Sequence, residues 1–570
     1  MSENKISSEE QMLVDAKAKG TGATIKAYLK LSGPGWLQSA ITLGGGSLAT
    51  ALFIGVIGGT SFLWIQLFAM ILGVIMLGAI SYVTLSSGKS PYKLIRDNVN
   101  PVLAWGWLIA SLMANMIWVM PQYGLSHSAI TQNLGISFGG GTTGKVIISL
   151  LIFAFCTAMV MTYGKGGKGQ KIFDISTKVV VGGIVVTFMI VSFKIIFVDK
   201  TFSIGQIFSG FIPSLSHFTE PTGAIGDQLA KLDPSVQSYW KTQIIDIQQT
   251  VLIASAAFAV GVNMTFMMPF SLISRGWNKN FRGLATFDLA TGMLIPFVLA
   301  TSCVIIASAA AFHGKSQGAI IEKDGVMIVN EAASKQVQDG LKGIIKGRTG
   351  GELKDVPMSN EEMVMASFLI KRDTGSFTKA LEDVVGKNMA NIIFGMGVLA
   401  MGLSTITMLM LISGFCVCEL GSYEHGGKEH KWGTLLASTG LLWFVVWTGG
   451  SQPYLAAITG TFGFIFLPIA YISFFLLFNS KKAMGENMPV GRTRVIWNVL
   501  MGIAVILTSA AALGPYGAWN KTMKGIPIGR YFVIGFVVLA IIGHFYMISK
   551  HKKDKSGAPI VDADEASASE

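Results

Sequence analysis

Residues Gly33–Thr50 read GPGWLQSAITLGGGSLAT, an apolar stretch of membrane-spanning composition cut at its centre by Gly44, Gly45 and Gly46. Hydrocarbon offers a freed amide or carbonyl no water to bond, so a glycine run that weakens a helix at mid-depth is tolerated only where the backbone lines a protected polar cavity. The stretch therefore reads as a broken transmembrane helix of the kind from which transporters build their sites.

The rest of the chain supports a membrane setting. Of 570 residues, 51% are hydrophobic and 13% charged, against roughly 25% charged in a typical soluble domain. A window of about 19 residues, enough to cross roughly 30 Å of hydrocarbon, gives about twelve spans. They centre near Thr42, Ile71, Ser111, Phe153, Thr187, Gly261, Leu299, Met401, Leu441, Phe466, Ile503 and Val537. Basic residues follow the even-numbered spans: Lys89, Lys93 and Arg96; Lys165, Lys168 and Lys171; Arg275, Lys279 and Arg282; Lys428 and Lys431; Lys481, Lys482, Arg492 and Arg494; and Lys550, Lys552, Lys553 and Lys555. Gln122–Thr143 holds neither Lys nor Arg, and Asp199–Thr250 is mildly acidic. The positive-inside rule then places both termini in the cytoplasm of a multi-pass plasma (inner) membrane protein. The turn carrying Lys521, Lys524 and Arg530 departs from that pattern.

The formal charge of +12 sits in short inner loops facing anionic lipid. The bilayer is thus the expected partner and nucleic acid is not. The first residues lack the apolar core and cleavage site of a signal peptide. Cys156, Cys303, Cys416 and Cys418 lie in apolar segments without metal-ligand spacing, as buried hydrophobes do.

A second interruption is expected in the sixth span, where Ala254–Arg275 reads ASAAFAVGVNMTFMMPFSLISR. Pro269 removes a backbone donor and frees carbonyls near Thr265 and Phe266. Broken first and sixth helices, five spans apart, are the pattern of an inverted repeat with cargo held at mid-depth. The expected organisation is a cytoplasmic segment (1–32), a first five-helix repeat (33–198) and an extracellular insertion (199–250). A second repeat (251–478) follows, carrying a long extracellular loop (313–387), then two additional helices (479–549) and a cytoplasmic tail (550–570).

GPGW at Gly33–Trp36, the Ala49-Thr50 pair, FDLATGMLIPFVLATSCVIIASAAAF at Phe287–Phe312, IFGMGVLAMGLSTITMLML in the eighth span and NSKKAMGE at Asn479–Glu486 resemble the natural-resistance-associated macrophage protein (Nramp) metal transporters. The resemblance implies an all-α, LeuT-like fold of five plus five helices, with helices 1 and 6 broken. It also implies a substrate site at positions where this sequence departs from the family. The family's Asp-Pro-Gly-Asn motif corresponds to Gly44, Gly45, Gly46 and Ser47, and its Met-Pro-His to Met268, Pro269 and Phe270. Its carbonyl ligand corresponds to Thr265, and a glutamine of the tenth helix to Thr461. The third span, around Asn115, has no carboxylate and the ninth, around Trp443 and Trp447, no arginine, where the family's proton route runs.

Dehydrating a divalent ion costs more than carbonyls and one thioether are expected to return. The expected pocket is neutral and roomy, lined by Ser47, Thr50, Asn263, Thr265, Ser404 and Phe270. The leading expectation is a secondary transporter working by alternating access on a small organic solute. An alternative is a metal-cation transporter (Mg²⁺, Mn²⁺ or a soft ion) using carbonyls, hydroxyls and Met268 as metal ligand, with Met264 and Met267 as further sulfur. A second alternative is a transport-dead receptor or scaffold. The coupling ion, H⁺ or Na⁺, is left open. Asp288 is the candidate for coupling, ahead of Glu419 and His544, because a membrane-embedded acid is a functional candidate by default. No cofactor is expected, and no enzyme: the histidines are scattered, and Lys165-Gly-Gly-Lys-Gly is not a phosphate-binding motif.

Overall fold

A computed structural model describes residues 3–162, 182–183, 185–186, 188–273, 275–350, 358–372, 374–447, 452–514, 517–520 and 526–555. The inner loop with Lys165, Lys168 and Lys171, and the Lys521 and Lys524 turn, lie outside these residues.

Among the described residues nine helical runs are long and apolar enough to cross a membrane. The first of them, Gly45–Ser87, fuses the outer half of the first span to the second. The fifth span is represented by the shorter apolar helix Phe188–Val198, and the ninth by the short segments Lys428–Thr434, Leu435–Leu442 and Trp443–Val446. The last two spans, Gly491–Leu513 and Ile528–Lys555, are largely exposed at the periphery, and His544 sits on an exposed face of the second.

The first span is broken as its sequence implies, into Pro34–Thr42 and Gly45–Gly58, with Leu43 and Gly44 non-helical between them. The sixth is broken too, but not at Pro269. It divides into Pro234–Ala259 and Val262–Ile273, with Val260 extended (φ −144°, ψ 103°) and Gly261 at the gap. Pro269 lies inside the second half. The earlier Val260-Gly261 pair supplies the break, where the glycine costs a helix about 1 kcal/mol relative to alanine. The helix begins at Pro234, so part of the expected 199–250 insertion belongs to the first half of the sixth span.

The outer half of the first span packs along Ile295–Phe312 of the seventh. Small residues permit the close approach that drives helix association in lipid, and Ser308 Oγ donates to Leu52 O at 2.6 Å across it. The eighth span, Lys387–Gly421, packs along the third, Pro101–Ser128, and Gln452–Phe464 of the tenth along Pro234–Ala259. Two apolar cores result. Their boundary falls between Leu43 and Leu48 in the first span, Tyr123 and Leu125 in the third, and Met401 and Ile406 in the eighth. The break in the first span thus coincides with the seam between cores, whereas the sixth-span break lies within one of them, with Ala259, Val260 and Val262 in the same cluster. All four cysteines are buried and free.

The 313–387 loop folds into a hairpin, Ile320–Lys323 with Val326–Val329, and three helices, Lys335–Thr349, Asn360–Phe368 and Thr374–Val385. The other long loop is tied down by Trp64 Nε1, which donates to His217 Nδ1 at 2.9 Å, and by Gln248 Nε2, which donates to His217 O at 3.0 Å.

Candidate functional site

The two breaks meet at a cavity of about 20 Å³, walled by Gly46, Trp118, Gln122, Phe258, Asn263 and Met264 with four neighbours from the first, sixth and eighth spans and Gly261. That volume holds about one water-sized particle. Ile41 and Phe258, near the ends of two half-helices, and Gly46 and Gly261, where the other two begin, are among its walls.

Two polar atoms here lack partners. Gln122 Oε1 and Asn263 Oδ1 are buried and accept no hydrogen bond, and each residue is 1% exposed. A buried unpaired acceptor costs on the order of 1–3 kcal/mol, so the site holds two uncompensated oxygens. Asn263 sits in the first turn after the sixth-span break. Gln122 follows Pro121, which opens the hydrogen-bond ladder of the third helix. Met264 adds a thioether, which accepts a weak bond from Thr42 Oγ1 at 3.6 Å, and Thr405 a hydroxyl that donates to Met401 O at 2.8 Å. The glycines make room: a Cβ on Gly46 would lie 2.6 Å from Phe258 Cε1, and one on Gly261 would lie 2.7 Å from Asn263 Oδ1.

The sequence-predicted residues distribute unevenly. Gly46 lines the cavity, and a Cβ on Gly45 would lie 2.6 Å from Gln122 Oε1. Gly44 and Ser47 turn the other way, into a second cavity of about 20 Å³ with Leu43, Val304 and Met401. Ser47 also bridges the breaks by donating to Phe258 O at 3.4 Å. Thr265 faces the third span instead, accepting from Trp107 Nε1 at 2.9 Å. Met268 lies one turn below Met264, where Gln38 Nε2 donates to its sulfur at 3.5 Å. Phe270 stacks on Phe415 (5.1 Å, 14°) and meets His425 edge-on at 4.9 Å. Thr461 donates to Thr250 O at 3.3 Å and to Ala457 O at 3.1 Å. Thr50 donates to Gly46 O at 3.0 Å and Ser404 to Met401 O at 3.1 Å. The expected roomy pocket is absent at the breaks, because Trp118 and Phe258 fill it. A larger cleft of about 660 Å³ lies at Gln132, Asn133, Glu382 and Lys387. Its Gln132 Oε1 is already bonded by Thr374 Oγ1 at 2.8 Å and Gly375 N at 3.2 Å.

Asp288 is fully buried at the N-terminal end of the first span. It accepts from the amides of Gly33 at 3.1 Å and Gly35 at 2.5 Å, and from the Ser32 hydroxyl. Gly33 and Gly35 open the helix Pro34–Thr42, so this carboxylate from the seventh span caps that helix. Glu419 accepts from Ser90 Oγ at 2.7 Å and faces His425 Nε2 at 3.4 Å. Among the described residues no group of three or more His, Cys, Asp or Glu side chains could hold a metal. Any ion at the breaks would be held by neutral oxygens and sulfur.

Residue reasoning on the sequence missed Gln122 and Thr405. An amide beside a proline in the middle of an apolar span was the available signal for Gln122.

Solved structures share the fold. The chain resembles a mutant form of the manganese transporter of Eremococcus coleocola at 15% identity and a TM-score of 0.58, covering 93% of this chain and 96% of that one. The same transporter in complex with an aromatic bis-isothiourea-substituted compound gives 15% identity and a TM-score of 0.60 over the same shares. No curated protein sequence matches. The sequence profile of the natural resistance-associated macrophage protein-like family matches residues 35–329 and 363–514. That match spans most of the chain and joins both broken helices in one pattern, so this multi-pass membrane protein belongs to the natural resistance-associated macrophage protein-like family.

Proposed function

We propose that this protein is a secondary active transporter of a metal cation that works by alternating access and binds the ion between the two helix breaks. The observation that carries this reading is the pair of buried, unpartnered oxygens, Gln122 Oε1 and Asn263 Oδ1, beside a cavity of about 20 Å³. One desolvated ion fits that space, and both residues that carry these acceptors are among its walls. A small organic solute does not fit, which turns the reading away from the cargo expected from the sequence. Amide oxygens together with the Met264 thioether make a mixed donor set. Such a set suits a first-row ion such as Mn²⁺ better than Mg²⁺, which demands oxygen alone and near-ideal octahedral geometry. Without a carboxylate the ion is held weakly, which favours release over storage.

Family membership supports a metal substrate and a proton as the coupling ion. The pattern of Lys and Arg between spans supports cytoplasmic termini in a plasma (inner) membrane. The Eremococcus coleocola manganese transporter makes Mn²⁺ the first ion to test.

The test is uptake of Mn²⁺ into proteoliposomes, read with an entrapped metal-quenched dye. Wild-type protein is expected to pass Mn²⁺ with saturation. Asn263→Ala is expected to raise the half-saturating concentration by about one order of magnitude, the range for one hydrogen-bonding ligand group. Absence of flux for Mn²⁺, Fe²⁺ and Mg²⁺ alike, or saturation unmoved by Asn263→Ala, would overturn the reading.

A further inference from the structure

An asparagine presents either an acceptor or two donors to whatever it faces, and only its hydrogen bonds decide which. Asn263 is oriented by a chain of bonds with a single direction. The chain starts at Leu409 O, a backbone carbonyl that can only accept. Ser413 Oγ donates to it at 2.8 Å, which spends the hydroxyl proton and leaves Ser413 Oγ as an acceptor. Asn115 Nδ2 donates to Ser413 Oγ at 3.3 Å. This turns Asn115 Oδ1 toward the sixth span, where Asn263 Nδ2 donates to it at 2.9 Å. The remaining end of Asn263 is its oxygen, buried and unpartnered beside the cavity. Asn115 and Ser413 are both 0% exposed, so no water competes for these bonds. Gly261, at the gap itself, leaves the space that Oδ1 occupies.

We propose that Asn115 and Ser413 are positioning residues that set the sign of the site. Reversing any link of the chain would turn the Asn263 amide around and aim N–H donors at the cavity, which would repel a cation. Neither residue touches the ion. They act from the third and eighth spans through one amide of the sixth, and so tie ion affinity to the register of three helices. This inference rests on the cation reading above and sharpens it: the neutral site selects cations through the fixed direction of a dipole and not through a charge.

The experiment measures half-saturating Mn²⁺ in the same uptake assay for Asn115→Leu, Asn263→Ala and the double variant. Removal of a group that orients a metal ligand commonly costs 10–100-fold in affinity, and Asn115→Leu is expected near the lower end. If Asn115 acts only through Asn263, the double variant is no weaker than Asn263→Ala alone. Asn115→Asp, which keeps an acceptor for Asn263 Nδ2, is expected to restore affinity to the wild-type value or above. Ser413→Ala, a milder change that guards against misfolding of the leucine variant, is expected to give a smaller loss in the same direction. Additive losses in the double variant, or failure of Asn115→Asp to rescue, overturn the positioning role while leaving the cation reading standing. An Asn263→Ala variant with unaltered saturation takes both down.

Discussion

The two broken spans divide the work between them. The first carries no polar side chain into the shared cavity, where Gly46 contributes only room, but it is clamped at both extremities. Asp288 holds the first turn of its inner half. At the outer end His313 Nδ1 lies 3.0 Å from Val56 O, and the Ala224 amide donates to His313 Nε2 at 3.2 Å. The sixth span does the reverse. Its break bears Asn263 and Met264, the groups proposed to hold the ion, and its orientation comes from lateral bonds to the third span through Asn115 and Trp107. One break is a spacer fixed at its ends and the other is a ligand carrier fixed at its middle. An ion site built this way needs each break to stay in its own role.

The largest effect should come from filling the spacer. Gly46→Leu drives a side chain into Phe258, whose Cε1 lies 2.6 Å from the first added carbon, and Mn²⁺ uptake should fall below a tenth of wild type while the purified protein still elutes as a single species. Uptake near the wild-type rate would show that the glycine break does not bound the ion.

A middling effect is expected from releasing the inner clamp. Asp288→Asn keeps the shape but loses the charge that strengthens the bonds to Gly33 and Gly35. It should cost about 2 kcal/mol, seen as a lower melting temperature and a slower maximal rate, with half-saturating Mn²⁺ little changed. A large shift in affinity with unchanged rate would instead place Asp288 with the ligand carrier.

The smallest effect concerns the outer clamp. Because the Ala224 amide donates to Nε2, His313 is neutral with its proton on Nδ1. Burial holds it below the usual histidine range, against the Val56 carbonyl and Asp227, which pull it back up. The unfolded chain therefore binds this proton more readily than the folded one. The stability His313 contributes is full above about pH 6.5 and declines as pH falls from there toward the lowered folded value. His217, also depressed by burial, adds to the same slope. Melting temperature should thus drop between pH 7 and pH 5 more steeply in wild type than in His313→Gln, and equal slopes would remove His313 from the clamp.

Much of this was legible in the residues. Composition and window hydropathy imply a multi-pass membrane protein, and the Gly44–Gly46 run marks the first break, because glycines at mid-depth free backbone groups that only a polar cavity can satisfy. The second break was expected at Pro269, whose ring is the familiar helix breaker. It occurs at Val260–Gly261, and Pro269 lies inside the second half of the span without ending it. Of the residues named from the sequence, Asn263 and Met264 line the cavity, while Met268, Thr265, Phe270 and Thr461 pack elsewhere.

The sequence alone thus determined the environment, the helical class and the place of the break in the first span, since those follow from backbone groups that lipid cannot solvate. Only the tertiary structure decided how large the cavity is and which atoms face it. Trp118 and Phe258 close it to about 20 Å³, and the direction of the Asn263 amide is set by Asn115, Ser413 and Leu409 on two other helices. Volume and bond polarity are properties of side chains from distant spans meeting, and no local pattern carries them.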